Sequence, residues 1–243
     1  MNSNQPGGRK RAAKFEPRNT ALDVPNPITT IPPAVQAVVV LPPHGALDVL
    51  NATNGFLVVQ CIEPIEVLTG FETENRYIIY DMFMRPILFA FERSNALARM
   101  FAGRSRNFDM DFADLAGQTI MKGLRRTISM GDSFAIQYPV NNTLGVVTMQ
   151  GCCARSFEIR TTGGPVLQVV FPACIGVGNT VFPVVVGQNG LVGEIVRLYP
   201  GYFKEQLTDA DIFLVHFNQG LPMHLKLLLM AAVFLMDFTF FEE

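Results

Sequence analysis

Met223 to Phe241 reads MHLKLLLMAAVFLMDFTFF, and its centre, Leu227–Met236, is apolar without interruption. Leu, Met and Ala dominate the run, and they are good helix formers. A helix that is apolar on every side must be wrapped on every side, by protein or by lipid. A bilayer asks for roughly 20 apolar residues, whereas about 10–14 fit a buried core helix. Lys226 closes the run on one side and Asp237 on the other. Counting on to Phe241 reaches spanning length only with a carboxylate in or near the hydrocarbon, at ~2.5–3.5 kcal/mol if it lay at the centre. The residues that would pack in either case are Leu227, Leu228, Leu229, Met230, Val233, Phe234, Leu235, Met236 and Asp237. The length criterion favours the core helix over the membrane span and leaves both open.

Working outward, the composition permits a large core. Of 243 residues, 49% are apolar, and the net charge of -2 gives no overall attraction to nucleic acid or to an anionic membrane. The amino-terminal MNSNQPGGRKR lacks the apolar region of a secretory signal, so the body is expected in the cytosol. Four cysteines, Cys61, Cys152, Cys153 and Cys174, are too few and too irregular for a disulfide framework. His44, His216 and His224 are scattered, with no zinc-like spacing. No phosphate loop or nucleophile–base arrangement points to an enzyme.

Residues 1–44 are proline-rich and poor in bulky apolar groups before Val35, the composition of a disordered tail. Within it Arg9, Lys10, Arg11 and Lys14 form a basic cluster, read as a solubilising feature, a nuclear signal or a contact with anionic lipid. From Gly45 onward the pattern is strand after strand. Phe56–Ile62, Arg76–Tyr80, Pro86–Phe91, Phe108–Phe112 and Ser133–Tyr138 come first, several alternating apolar with polar. Gly145–Gln150, Ser156–Arg160, Val166–Phe171, Val181–Val186, Gly193–Leu198 and Ile212–Phe217 follow, the later ones separated by turns such as Gly163-Gly164. Helical periodicity before the end is confined to a short turn at Asn95–Phe101. Short strands at this spacing predict a closed antiparallel β-barrel. Such a barrel encloses more volume than its inward side chains fill. A last helix that is apolar all round fills it. Residues 45–243 are therefore read as one mainly β domain, with 223–241 its central or membrane helix.

Four stretches then resemble one known family, the phospholipid scramblases. They are Glu66-Val67-Leu68-Thr69-Gly70-Phe71-Glu72-Thr73-Glu74-Asn75-Arg76-Tyr77, Asp114-Leu115-Ala116-Gly117-Gln118, Thr208-Asp209-Ala210-Asp211, and Phe234-Leu235-Met236-Asp237-Phe238-Thr239-Phe240-Phe241-Glu242. The resemblance implies a tubby-like barrel of about a dozen strands around a carboxy-terminal helix. It also implies calcium-triggered, energy-independent phospholipid movement between leaflets, with palmitoylated cysteines at the plasma membrane and the domain facing the cytosol. It leaves room for a homo-oligomer, and for a partly cytosolic population if acylation is missing.

The places that carry cysteine clusters in the family hold Asn95–Phe101 and Ile128–Gly131 here, without a cysteine. Acylation therefore falls to Cys152 and Cys153. The family's calcium segment matches Asp209 and Asp211, but its later acidic positions have become Gly220 and Pro222. Calcium takes six to eight oxygens, so two aspartates supply part of a shell. Thr208 with Asp211 also reads as a helix-capping pair, a structural role. Two functional readings survive: a phospholipid scramblase, and a cytosolic barrel that binds lipid or protein without transport.

Overall fold

The computed structural model describes residues 45–61, 75–93, 107–128, 131–151, 156–173, 178–187, 190–199 and 211–241. A short helix α1 (Gly45–Ala52) precedes twelve strands. These are β1 (Gly55–Cys61), β2 (Arg76–Asp81), β3 (Pro86–Arg93), β4 (Phe108–Ala113), β5 (Thr119–Ile128) and β6 (Gly131–Gln137), then β7 (Thr143–Gln150), β8 (Ser156–Thr161), β9 (Gly164–Val170), β10 (Thr180–Val186), β11 (Gly190–Leu198) and β12 (Ile212–Phe217). Helix α2 (Met223–Met236) follows and ends in a π-helical turn, Asp237–Phe241. Every strand pairs antiparallel with its neighbour in sequence, and β12 closes on β1 from Gly55↔His216 to Val59↔Ile212. The barrel expected from the strand pattern is therefore present, closed, with the helix inside it.

The up-and-down order sorts the connections into two ends. The turns β2–β3, β4–β5, β6–β7, β8–β9 and β10–β11 share one end with α1 and with the turn into α2. The other connections and the π-helical turn belong to the opposite end.

Helix α2 shows why a helix without a polar face is stable here. Every residue from His224 to Met236 is buried. The inward side chains of the strands, such as Val58, Ile79, Phe112, Phe134, Ile159, Val184 and Val215, join those of α2 in one core. Phe234 is its aromatic hub, edge-on to Tyr77 at 5.0 Å and to Phe112 at 5.4 Å, and stacked 6.0 Å from Phe134. Two glycines make room for this packing. A Cβ on Gly123 would lie 2.4 Å from the Phe134 ring, and one on Gly145 would lie 2.8 Å from Leu228 of α2. By length and composition Met223–Phe241 is one helix able to cross a bilayer, yet 83% of that stretch is buried inside the barrel. Leu227, Leu228, Leu229, Met230, Val233, Phe234, Leu235, Met236 and Asp237 are all buried.

Two elements differ from the expectation. Gly45–Ala52 is a helix rather than the start of the strand run, because Leu47 and Leu50, three apart, both turn into the core while Asp48 lies in the first turn. Strand β5 was missing from the expected set. Its inward positions include Met121, Gly123 and Arg125, so the apolar alternation that marks its neighbours is absent. The tail, residues 1–44, and Asn95–Phe101 lie outside the described residues.

Since a closed sheet collapses poorly onto a void, Phe234→Ala should lower the unfolding free energy by ~3–5 kcal/mol. Urea denaturation of the purified variant measures it, and a loss below ~1 kcal/mol would place the ring in a site that relaxes freely.

Candidate functional site

The charged groups on and around α2 decide what the barrel can do, because a dry interior tolerates charge only where it is partnered. Lys226 sits in the first turn of α2 and is 2% exposed. Its Nζ donates to the carbonyls of Leu50, Asn51 and Thr53 at 3.2, 2.7 and 3.0 Å, at the carboxy-terminal end of α1, where the Leu50 carbonyl also accepts from Thr53. The ammonium also lies 4.9 Å from the Phe217 ring centroid. One buried cation thus ties the helix over the barrel mouth to the helix inside. Burial pushes the Lys226 ammonium down from its ordinary 10.5 to about 8, while the three carbonyls hold the charged form against that pull. Burial likewise lowers the neighbouring His224, so its imidazole is neutral at pH 7.

Asp237 marks the other end of α2, and it is 1% exposed. Its partner is the Tyr77 hydroxyl, which donates to Oδ2 at 2.6 Å. The aspartate that argued against a span is thereby held by a strand side chain within the barrel. Nearby, Arg125 enters the interior from β5, 1% exposed, and its Nη2 meets Asp132 at 2.6 Å. The guanidinium stands 5.7 and 5.8 Å from the rings of Phe108 and Phe238. Thr239 of the π-helical turn donates to the same Asp132 carboxylate at 3.4 Å.

Asp211, expected as a calcium ligand, is at this same end, where β12 begins. Arg197 of β11 donates Nε and Nη2 to its Oδ1 at 3.0 and 2.7 Å, and the Arg197 guanidinium lies 4.1 Å from the Phe241 ring. The carboxylate therefore locks β11, β12 and the end of the helix together. Gly220 and Pro222 lie beyond the other end of β12, where Pro222 starts α2 and its carbonyl takes the amides of Leu225 and Lys226. A strand of this length spans roughly 20 Å at about 3.3 Å per residue. Calcium holds its ligands at about 2.3–2.6 Å, so no single ion is held from both ends of β12. Among the described residues no group of three or more His, Cys, Asp or Glu forms a metal cluster. The described part of the segment does not fit a calcium shell.

Asp209 lies outside the described residues, as do Cys152 and Cys153. Cys61, at the end of β1, is half-buried, and burial raises its thiol above the ordinary value, which makes it a poor nucleophile. Of the residues expected from sequence, Asp211 and Asp237 come to one end and are both structural. Lys226, Arg125 and Arg197 were not expected as site residues. For Lys226 and Arg197 the signal was a cation set within apolar sequence, which burial without a partner forbids; Arg125, beside Arg126, carried no such signal.

Comparison with known proteins gives matches that span the barrel and its helix. A family model described as Scramblase matches residues 34–243, starting inside the segment assigned to the tail. Phospholipid scramblase 1 of Homo sapiens is 32% identical over 224 residues, covering 87% of this chain and 70% of that protein. Phospholipid scramblase 1 of Mus musculus is 32% identical over 210 residues, 81% of this chain and 64% of that one. Phospholipid scramblase family member 5 of Homo sapiens is 28% identical over 245 residues, 95% of this chain and 88% of that protein. No solved structure matches the chain.

Lys226→Met removes the ammonium from three carbonyls, of which Leu50 keeps the Thr53 donors, and should destabilise the protein by about 1–3 kcal/mol at pH 7. The pH dependence has a definite sign. Between about 8 and 10.5 the unfolded chain keeps a Lys226 proton that the native state has shed, so wild-type stability rises with pH there. The variant lacks that rise, so the gap in melting temperature should widen from pH 8 to 10. A constant gap would mean that the carbonyls cancel the burial. For calcium, calorimetry should find affinity no tighter than ~10⁻⁴–10⁻³ M. Micromolar binding abolished by Asp209→Asn would restore a competent site.

Proposed function

The chain belongs to the scramblase family, and on that premise we propose that it moves phospholipids in both directions across a bilayer without ATP. The observation that supports this is the extent of the match, 34–243, which takes in the whole barrel and its helix. Downhill exchange between leaflets needs no energy source, only a lower barrier for the headgroup.

The filled interior constrains how that barrier falls. A headgroup crossing hydrocarbon must meet polar partners throughout. The bore of this barrel is occupied by α2, and its interior charges are engaged by Asn51, Asp132 and Tyr77. In our reading lipids therefore move past the outside of the protein, where bound copies thin or disorder the bilayer. The protein is peripheral, on the cytosolic side of the plasma membrane, and the attachment is reversible. Acylation at Cys152 or Cys153 is one anchor, and a single acyl chain gives only marginal, reversible binding. No step is routed through calcium, because Asp211 is held by Arg197.

The second reading, a barrel that binds lipid or protein without transport, draws on the enclosure of α2, the one helix among the described residues long and apolar enough to cross a bilayer. Reconstitution separates the two. Purified protein in phosphatidylcholine vesicles carrying a dye-labelled lipid should expose the inner-leaflet label to dithionite, with calcium or with a chelator present. Protection of the inner leaflet in both conditions, with the protein bound, would make it a binding module.

A further inference from the structure

Two neighbouring hairpins at the α1 end of the barrel close with the same turn. In the first, the Asp81 amide donates to the Arg85 carbonyl at 2.9 Å and the Met84 amide to the Asp81 carbonyl at 3.1 Å. The Asp81 carboxylate accepts the amides of Phe83 and Arg85, each at 2.9 Å. In the second, the Asp114 amide donates to the Gln118 carbonyl and the Gly117 amide to the Asp114 carbonyl, both at 3.0 Å. The Asp114 carboxylate accepts the amides of Ala116 and Gln118 at 3.0 and 2.9 Å. Pairing of Phe89 with Ala113 sets the two tips side by side, two strand spacings or about 10 Å apart.

The turns differ where it matters. The residue three after the aspartate is left-handed in both, Gly117 at φ +82° and Met84 at φ +60°. Glycine adopts that backbone freely and methionine only at a cost. Turn chemistry alone therefore favours glycine at 84. What methionine adds is exposed apolar surface beside Phe83. Phe83 is 77% exposed, Met84 49% and, on the second tip, Leu115 53%. Val49 on α1 is exposed at the same end.

Two further observations point to lipid as the partner. The amides of Phe83, Met84 and Arg85 are all satisfied within the turn, so the tip enters a low-dielectric boundary without orphan donors. The Arg85 guanidinium lies 5.3 Å from the Phe83 ring and 2.6 Å from Asp81, which puts a cation at the base of the apolar tip. That is the depth of the phosphates for an aromatic seated at the acyl boundary.

We propose that Met82, Phe83 and Met84, with Leu115 and Val49, form a lipid-docking edge that enters the headgroup–acyl boundary of a phospholipid bilayer. Arg85 meets the phosphates there. The proposal rests on the reading that this protein acts at membranes, and it places the contact outside the buried helix.

The chain contains no tryptophan, so Phe83→Trp installs a single fluorophore at the tip. On vesicles of phosphatidylcholine with phosphatidylserine its emission should shift to the blue and be quenched by lipids brominated near the headgroup. In co-sedimentation Phe83→Ser with Leu115→Ser should bind about tenfold more weakly or worse. Met84→Gly should melt higher than wild type while binding more weakly, which a merely structural turn would not do. An unshifted indole on sedimented protein, or a double variant that binds as wild type does, overturns the proposal. So does concentration-dependent self-association that these variants abolish, since the tips would then be an interface between copies. If wild type binds through the tips but leaves the inner-leaflet label protected, the transport reading fails and the docking edge stands.

Discussion

A sheet of twelve strands closed on itself leaves a bore wider than its own inward side chains can fill. Everything else about this protein follows from how that space is filled. A single helix does it, and because the wall surrounds it the helix has no face to spare for polar groups. The alternating strands supply Val, Ile and Phe from outside, and the helix supplies Leu, Met, Ala and Phe from within. Glycine at 145 stands where strand and helix would otherwise collide, and glycine at 123 leaves room for the Phe134 ring of the neighbouring strand.

Filling the bore also fixes the charges. Lys226 and Asp237 bracket the helix, and a solvent-free wall accepts them only with partners in place. The first is met by the carbonyl end of α1 and the second by the Tyr77 hydroxyl. Arg125 and Arg197 fasten the exit of the helix through Asp132 and Asp211. The same enclosure shapes function, for a helix consumed as core is no longer a membrane span and a full bore is no lipid path. Contact with the bilayer must then come from the outer surface, where the Asp81 and Asp114 turns present Phe83 and Leu115.

Much of this was legible in the amino-acid sequence. Period-two alternation marks strands wherever apolar residues face inward, so eleven of the twelve strands, all but β5, show in their own residues. Strand β5 does not, because a glycine and a buried arginine stand where Val or Ile would, and only the neighbouring Phe134 and Asp132 explain them. Helix α1 is too short for its period to register. Residue pairing was harder to read than strand pattern. Asp211 admits a metal or a structural role until Arg197 from the adjacent strand takes it. The Asp237 partner, Tyr77, lies 160 residues away, a separation no local pattern encodes. Gly220 and Pro222 look close to Asp211 along the chain, yet β12 carries them to the other end of the barrel.

The central claim is that Leu225–Met236 is the interior of the closed barrel and remains so at a membrane. Hydrogen exchange of the intact protein tests it directly, resolved to α2 and measured in buffer and on phospholipid vesicles. A helix inside a closed sheet exchanges only when the whole domain opens. The account predicts protection of α2 equal to that of the core strands β4 and β6, unchanged by vesicles. Rapid exchange of α2 in buffer that slows on vesicles, with the strands unaffected, would contradict it and put the helix in the bilayer.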